Sequence, residues 1–279
     1  LRKKSVTRSA AANEQQNTAM QQQLSLTERV AIAAQWIAGA DSLLITAGAG
    51  IGVDSGLPDF RGDSGFWEAY PALARGKIRF QQIANGTGFD SDPLRAWGFY
   101  GHRLQLYRDT VPHAGFQILR RFADAMAAGA FIFTSNVDGQ FQRAGFAEER
   151  IEECHGSIHH LQCNAACMPA IWPATELVVE IDAEACEWKG ALPRCPHCGA
   201  LARPNILMFN DWNWFSDRTD RQSLARVRWL RTAARPVVIE LGAGTAIPTV
   251  RLLGESQRGP LIRINPREAQ TDGEQQIGL

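Results

Sequence analysis

Two close pairs of cysteines, Cys163-x3-Cys167 and Cys195-x2-Cys198, stand with 27 residues between them. Four thiolates in two knuckles are the donor set of a tetrahedral structural zinc, and reduced buried thiols are the alternative. Pro196 and Gly199 supply the tight turn of the second knuckle. Four protein ligands leave no open position, so such a metal folds a module and performs no catalysis. A second constellation lies upstream. The apolar run Leu44-Ile45-Thr46-Ala47 empties into Gly48-Ala49-Gly50-Ile51, and Asp59-Phe60-Arg61 follows after Ser55-Gly56-Leu57-Pro58. Glycines admit positive φ and close approach of a ligand to the backbone. The exit of a strand in an open parallel sheet is where nucleotide phosphates sit. Asp59 and Arg61 add a carboxylate and a phosphate-reading fork beside it. Gly242-Ala243-Gly244 follows a second apolar run. Neither turn completes Gly-x-Gly-x-x-Gly, since Val53 and Ile247 stand where the third glycine belongs, which argues against hydride transfer.

These turns need strands and helices to hold them. Ser25 to Gly39 reads as a helix with a Ser25/Glu28 capping box, an apolar face of Leu26, Val30, Ala34 and Ile37, and Gly39 to close it. Ser42–Ala47 reads as a buried strand. His113–Ala128 is amphipathic and leads into a strand at Ala130–Thr134. Val237–Leu241 and Leu261–Asn265 are further strands. Helices alternating with short, wholly apolar strands predict an α/β fold: a doubly wound parallel, Rossmann-like sheet. Over residues 156–204 strand periodicity fades while Cys, Pro and Trp accumulate, which predicts an inserted small zinc-binding module. The expected organisation is a flexible tail over 1–23, a nucleotide-binding domain made of 24–155 and 205–279, and the zinc module at 156–204.

The chain has 279 residues, 45% of them hydrophobic, and a formal net charge of zero. That composition is an ordinary globular one, and it points to no nucleic-acid and no membrane partner. No secretory leader is legible, so a cytoplasmic, reducing compartment is expected, in which cysteines serve metal or chemistry. The chain stops soon after Asp272, before an expected terminal helix.

Further segments carry a resemblance. Gly48-Ala49-Gly50 followed by Ser55-Gly56-Leu57-Pro58-Asp59-Phe60-Arg61, Thr134-Ser135-Asn136-Val137-Asp138, Glu153-Cys154-His155-Gly156, the cysteine pairs, and Arg203-Pro204-Asn205-Ile206-Leu207-Met208-Phe209 occur in this order. The sequence is similar to the sirtuin family, bacterial-type, of NAD-dependent protein-lysine deacylases. The resemblance implies two cofactors, NAD and one structural zinc held by Cys163, Cys167, Cys195 and Cys198. It implies that the acyl oxygen of a modified lysine attacks the nicotinamide ribose, nicotinamide leaves, and the acyl group passes to ADP-ribose. His155 would be the base, matched to neutral pH, with Asn136 and Asp138 lining the nicotinamide pocket. The NAD contacts implied are Gly48, Ala49, Gly50, Ile51, Asp59, Phe60, Arg61, Ser135, Asn136, Asp138, Gly242, Ala243, Gly244 and Asn265. The acyl-lysine polypeptide would add as a strand beside Ile206, Leu207 and Phe209.

The chain also departs from the family pattern. Ser135 replaces Gln, Gly139-Gln140-Phe141 replaces Gly-Leu-His, Asn210-Asp211 replaces Gly-Glu, and Gly242-Ala243-Gly244-Thr245 replaces Gly-Thr-Ser. Tyr100-x-x-Arg103 matches the pair found in sirtuins that remove succinyl and malonyl groups. Arg103 would pair with a distal carboxylate and Tyr100 would hydrogen-bond it, the alternative being a helical Tyr and Arg on a solvated face. Two other functions fit the same residues: a mono-ADP-ribosyltransferase or NAD glycohydrolase, and a catalytically silent module binding acyl-lysine or an NAD metabolite.

Overall fold

The computed structural model describes residues 24–58 and 62–279, so the expected tail and Asp59, Phe60 and Arg61 lie outside the described residues. Eleven strands are described: β1 (Ser42–Ala47), β2 (Ala130–Thr134), β3 (Ile151–Glu153), β4 (Gly156–Cys163), β5 (Ile171–Pro173), β6 (Ile181–Asp182), β7 (Glu187–Trp188), β8 (Ala202–Ile206), β9 (Pro236–Leu241), β10 (Leu261–Ile264) and β11 (Gln276–Gly278). The described residues divide into two compact units, one formed within 24–51, 118–133 and 228–279 and the other within 52–58, 62–117 and 134–227.

In the first unit the strands lie in the order β11-β10-β9-β1-β2. β1 pairs with β9, β9 with β10 and β10 with β11, all parallel, with Ala47 opposite Leu241 and Leu241 opposite Ile264. Leu43, Leu44, Ile45, Val237 and Val238 are fully buried, which is why these strands read as continuous apolar runs. The edge strand β11 follows Asp272, and the sequence pattern does not mark it as a strand. The helix Leu26–Gly39 has the expected capping box at Ser25, but Ala40, in extended conformation, closes it in place of Gly39. Its buried residue is Ala33, whereas Leu26 and Val30 are exposed, so the expected apolar face is not the packed one.

The second unit contains the antiparallel sheet β5-β4-β8 and the β6–β7 ribbon. Its core gathers Phe66, Trp97, Phe99, Tyr100, Leu104 and Ile158. The helix Pro93–Asp109 approaches the ribbon through two glycines. A Cβ at Gly98 would lie 2.2 Å from the Cys186 carbonyl oxygen, and one at Gly101 2.9 Å from the Trp188 ring. Among the described residues no helix is long and apolar enough to cross a membrane.

Candidate functional site

Three adjacent parallel strands of the first unit, β1, β9 and β10, end at Gly48, Gly242 and Asn265. The backbone N–H of Gly48 donates to Leu241 O (3.0 Å), that of Gly50 to Gly242 O (3.0 Å), and that of Gly242 to Ile264 O (3.2 Å). Each turn leans into the other. A Cβ on Gly48 would lie 2.8 Å from Gly242 O, and one on Gly242, whose φ is +58°, would lie 2.3 Å from Ile51 N. Both positions therefore require glycine. Ala49, Gly50 and Ile51 open the 3-10 segment Ala49–Ser55. The Ala243 carbonyl accepts from Asn265 Nδ2 (3.0 Å) and from Arg251 Nε and Nη2 (3.2 and 3.1 Å). Asn265 Oδ1 in turn accepts from the backbone of Arg267 and Glu268. Its side chain is thus committed to shaping the Gly242–Gly244 turn. Arg251 was not legible in the sequence: nothing near it marks a buried arginine held by the Ala243 and Glu268 carbonyls and by the Glu268 carboxylate.

In the second unit the segment after β2 and the segment around His155 lie side by side. Cys154 N donates to Thr134 O (2.9 Å) and Ile158 N to Val137 O (3.0 Å). Burial holds the His155 pKa below 6.5, with the Ser135 backbone opposing it. Asn136 N donates to Thr134 Oγ1 (3.0 Å). The Asp138 carboxyl accepts from Gln140 N (3.0 Å), and its pKa is pushed up to about 6 because it is buried from water. A neutral imidazole and a desolvated carboxyl a few residues from each other's backbone can perform proton transfer near pH 7. Gly156, with φ +77°, is obligatory next to the imidazole, since a Cβ would lie 2.1 Å from Asn205 O. The His155 carbonyl accepts from Leu207 N (2.9 Å), and Phe209 N donates to Ala84 O (2.9 Å). Ile206 is buried, Leu207 is exposed and Phe209 is half-buried.

Tyr100 and Arg103 are both buried, at 1% and 8% exposure, so the solvated-face alternative fails. Tyr100 stacks on Phe89. The guanidinium donates from Nε and Nη2 to the Tyr107 hydroxyl (2.9 and 2.6 Å). Tyr107, one helical turn after Arg103, was missed in the sequence. Arg203 and Asp211 are a further missed pair, joined by two bonds of 2.7 and 2.8 Å. Asp211 also accepts from Met208 N, which ties the 210–213 loop to the strand end beside His155.

The sulfurs of Cys163, Cys167, Cys195 and Cys198 lie within 4.8 Å of one another. Two of the separations are 3.6 and 3.7 Å. Tetrahedral Zn–S bonds of about 2.3 Å place sulfurs about 3.8 Å apart, so the four residues fit one zinc ion.

With this geometry in hand, comparison with known proteins is decisive. The Sir2 family model matches residues 48–224, more than half of the chain. The chain belongs to the Sir2 family. It is 27% identical over 229 residues to the NAD-dependent protein deacylase of Aquifex aeolicus, covering 81% of this chain and 84% of that one. It is 28% identical over 235 residues to the NAD-dependent protein deacylase of Thermococcus kodakarensis, covering 84% and 83%. A solved Sir2 homologue–NAD complex superposes with TM-score 0.63 at 26% identity, covering 85% of this chain and 82% of that one. The α/β fold with a parallel sheet and a four-cysteine cluster is that of the Sir2 family.

Proposed function

We propose that this Sir2-family chain is an NAD-dependent protein-lysine deacylase that transfers the acyl group to ADP-ribose. The observation that carries the reading is the backbone pairing of Cys154 with Thr134 and of Ile158 with Val137, which joins the segment carrying His155 to the segment carrying Asn136 and Asp138. When bound, NAD supplies an electrophilic ribose carbon from which nicotinamide departs. The interlocked glycine turns at Gly48 and Gly242 follow the carboxyl ends of the adjacent parallel strands β1 and β9, the place in an open parallel sheet where a pyrophosphate sits. Ala49, Gly50, Ile51, Ala243 and Gly244 are further NAD contacts in this proposal, as are Ser135 and the residues Asp59, Phe60 and Arg61. His155, neutral at pH 7 because burial lowers its pKa, takes a proton from a ribose hydroxyl. Asp138 and Asn136 orient the carboxamide and ribose.

The acyl-lysine polypeptide would lie along Ile206–Phe209, with Tyr100 and Arg103 selecting an acidic acyl group. Domain limits of 24–155 with 205–279, and 156–204 for the zinc module, belong to the same proposal, as does a cytoplasmic location. The test is product analysis with NAD and a panel of acyl-lysine peptides. Deacylated peptide with acyl-ADP-ribose is expected, and His155→Ala should lower the rate by about 10²–10⁴ with NAD binding kept. ADP-ribosylated protein, free ADP-ribose alone, or no turnover would each overturn the reading.

A further inference from the structure

His159 has no place in the chemistry above, yet it ends the ladder that aligns the site. Three rungs join the two segments. Cys154 N bonds Thr134 O, Ile158 N bonds Val137 O, and His159 Nε2 stands 2.9 Å from Asp138 O. A carbonyl accepts only, so Nε2 carries the proton. The ring also covers Gly139, where a Cβ would lie 2.8 Å from ring atoms Cδ2 and Nε2. Gly139 has φ +70°, so this left-handed turn and the ring are matched. Two rungs are backbone to backbone. The third is a side chain that substitution can change without touching a reacting group.

We propose that His159 is a positioning residue for Asp138: its Nε2–H bond to the Asp138 carbonyl and its ring over Gly139 fix where the Asp138 carboxyl meets the nicotinamide end of NAD. The inference rests on the NAD-binding part of the proposed function. The neutral state it needs agrees with burial, which lowers the His159 pKa below 6.5.

The experiment compares the full chain with His159→Phe, which keeps a ring but has no donor, and His159→Gln, which keeps a donor at similar reach. NAD affinity is read by calorimetry, and KM and kcat are read with an acyl-lysine peptide. Thermal midpoints report folding. Losing one buried hydrogen bond should weaken NAD binding about five- to tenfold in His159→Phe. KM for NAD should rise in step, kcat at saturating NAD should change less than about twofold, and His159→Gln should recover most of the loss. Equal NAD affinity in parent and His159→Phe overturns the inference. So does an equal loss in both variants, because packing alone would then explain it. A parent that binds NAD without acyl turnover removes the deacylase reading only, and the affinity ratio still decides the role of His159. A parent that binds no NAD overturns both.

Discussion

Asp211→Ala should destabilise this protein more than any ordinary surface change. The side chains of Arg203 and Asp211 are 1% and 2% exposed. The carboxylate accepts two guanidinium bonds, of 2.7 and 2.8 Å, and backbone bonds from Met208 (3.3 Å) and Asn213 (3.1 Å). Removing it strands a cation that water cannot reach, and Arg203 Nε already lacks a hydrogen-bond partner. Breaking one side of a buried pair costs about 3–5 kcal/mol. For a domain approaching this size each kcal/mol moves the melting midpoint by about 2–4 °C, so a fall of about 6–20 °C is expected. Calorimetry and urea titration measure it. The double variant Arg203→Met/Asp211→Ala removes both charges and should regain much of the loss, costing less than the sum of Arg203→Met and Asp211→Ala in the cycle. Because Asp211 ties the 210–213 loop to Met208, peptide KM should rise while NAD KM holds. A single-variant cost under about 1 kcal/mol, or a double variant equal to the sum of the singles, would refute the reasoning.

Three further outcomes are expected. One zinc per chain should be found by elemental analysis, and chelation or Cys195→Ser should lower the melting midpoint and activity together; a metal-free, folded, active preparation contradicts this. Arg103→Met should raise KM for succinyl-lysine peptides by about 30-fold or more while sparing acetyl-lysine peptides, because truncating one side of a buried charge pair costs about 2–5 kcal/mol. Equal losses on both peptides would make Arg103 architectural. His160 is pushed down to about 4 from 6.5 by burial and by Arg218 beside it. The unfolded chain therefore takes this proton near pH 6.5 and the folded chain only near pH 4. Stability from this group is intact above pH 6.5 and is lost as pH falls to 4, by about 2–3 kcal/mol. His160→Gln should flatten that part of the stability–pH curve, and an unchanged slope would be the contrary result.

The strands legible in the sequence are those whose pattern depends on burial alone. β1 and β2 are apolar along most of their length, and β9 and β10 interrupt their apolar runs with one buried charge each, Glu240 and Arg263, which pair with each other. β4 and β8 escaped that reading because their buried residues are polar and satisfy one another. Asn205 Nδ2 donates to Gln162 Oε1 (2.8 Å), and Gln162 Nε2 donates to Asn213 O (2.6 Å). Apolar periodicity carries no trace of such a lattice. The cap at Ser25 was legible because it is local. The packed face of that helix was not, because it depends on neighbours far away in sequence. The same division holds at the site. His155, Asn136, Asp138 and the cysteines stand in recognisable strings. Tyr107, Arg251 and the Arg203–Asp211 pair earn their place only through contacts formed once the chain has folded.

The interlocking of the Gly48 and Gly242 turns has a consequence for how this sequence can vary. The space a side chain at 48 would need is filled by the backbone of 242 and 243, and the space needed at 242 by the backbone of 50 and 51. Trimming a neighbouring side chain cannot relieve either collision, because backbone is what collides. Neither position therefore has a second-site suppressor of the usual kind. The two turns, 194 positions apart in the chain, form one inheritable unit. A chimera that takes the first turn from one relative and the second from another should fail to assemble this sheet end, whereas exchanging both together should succeed.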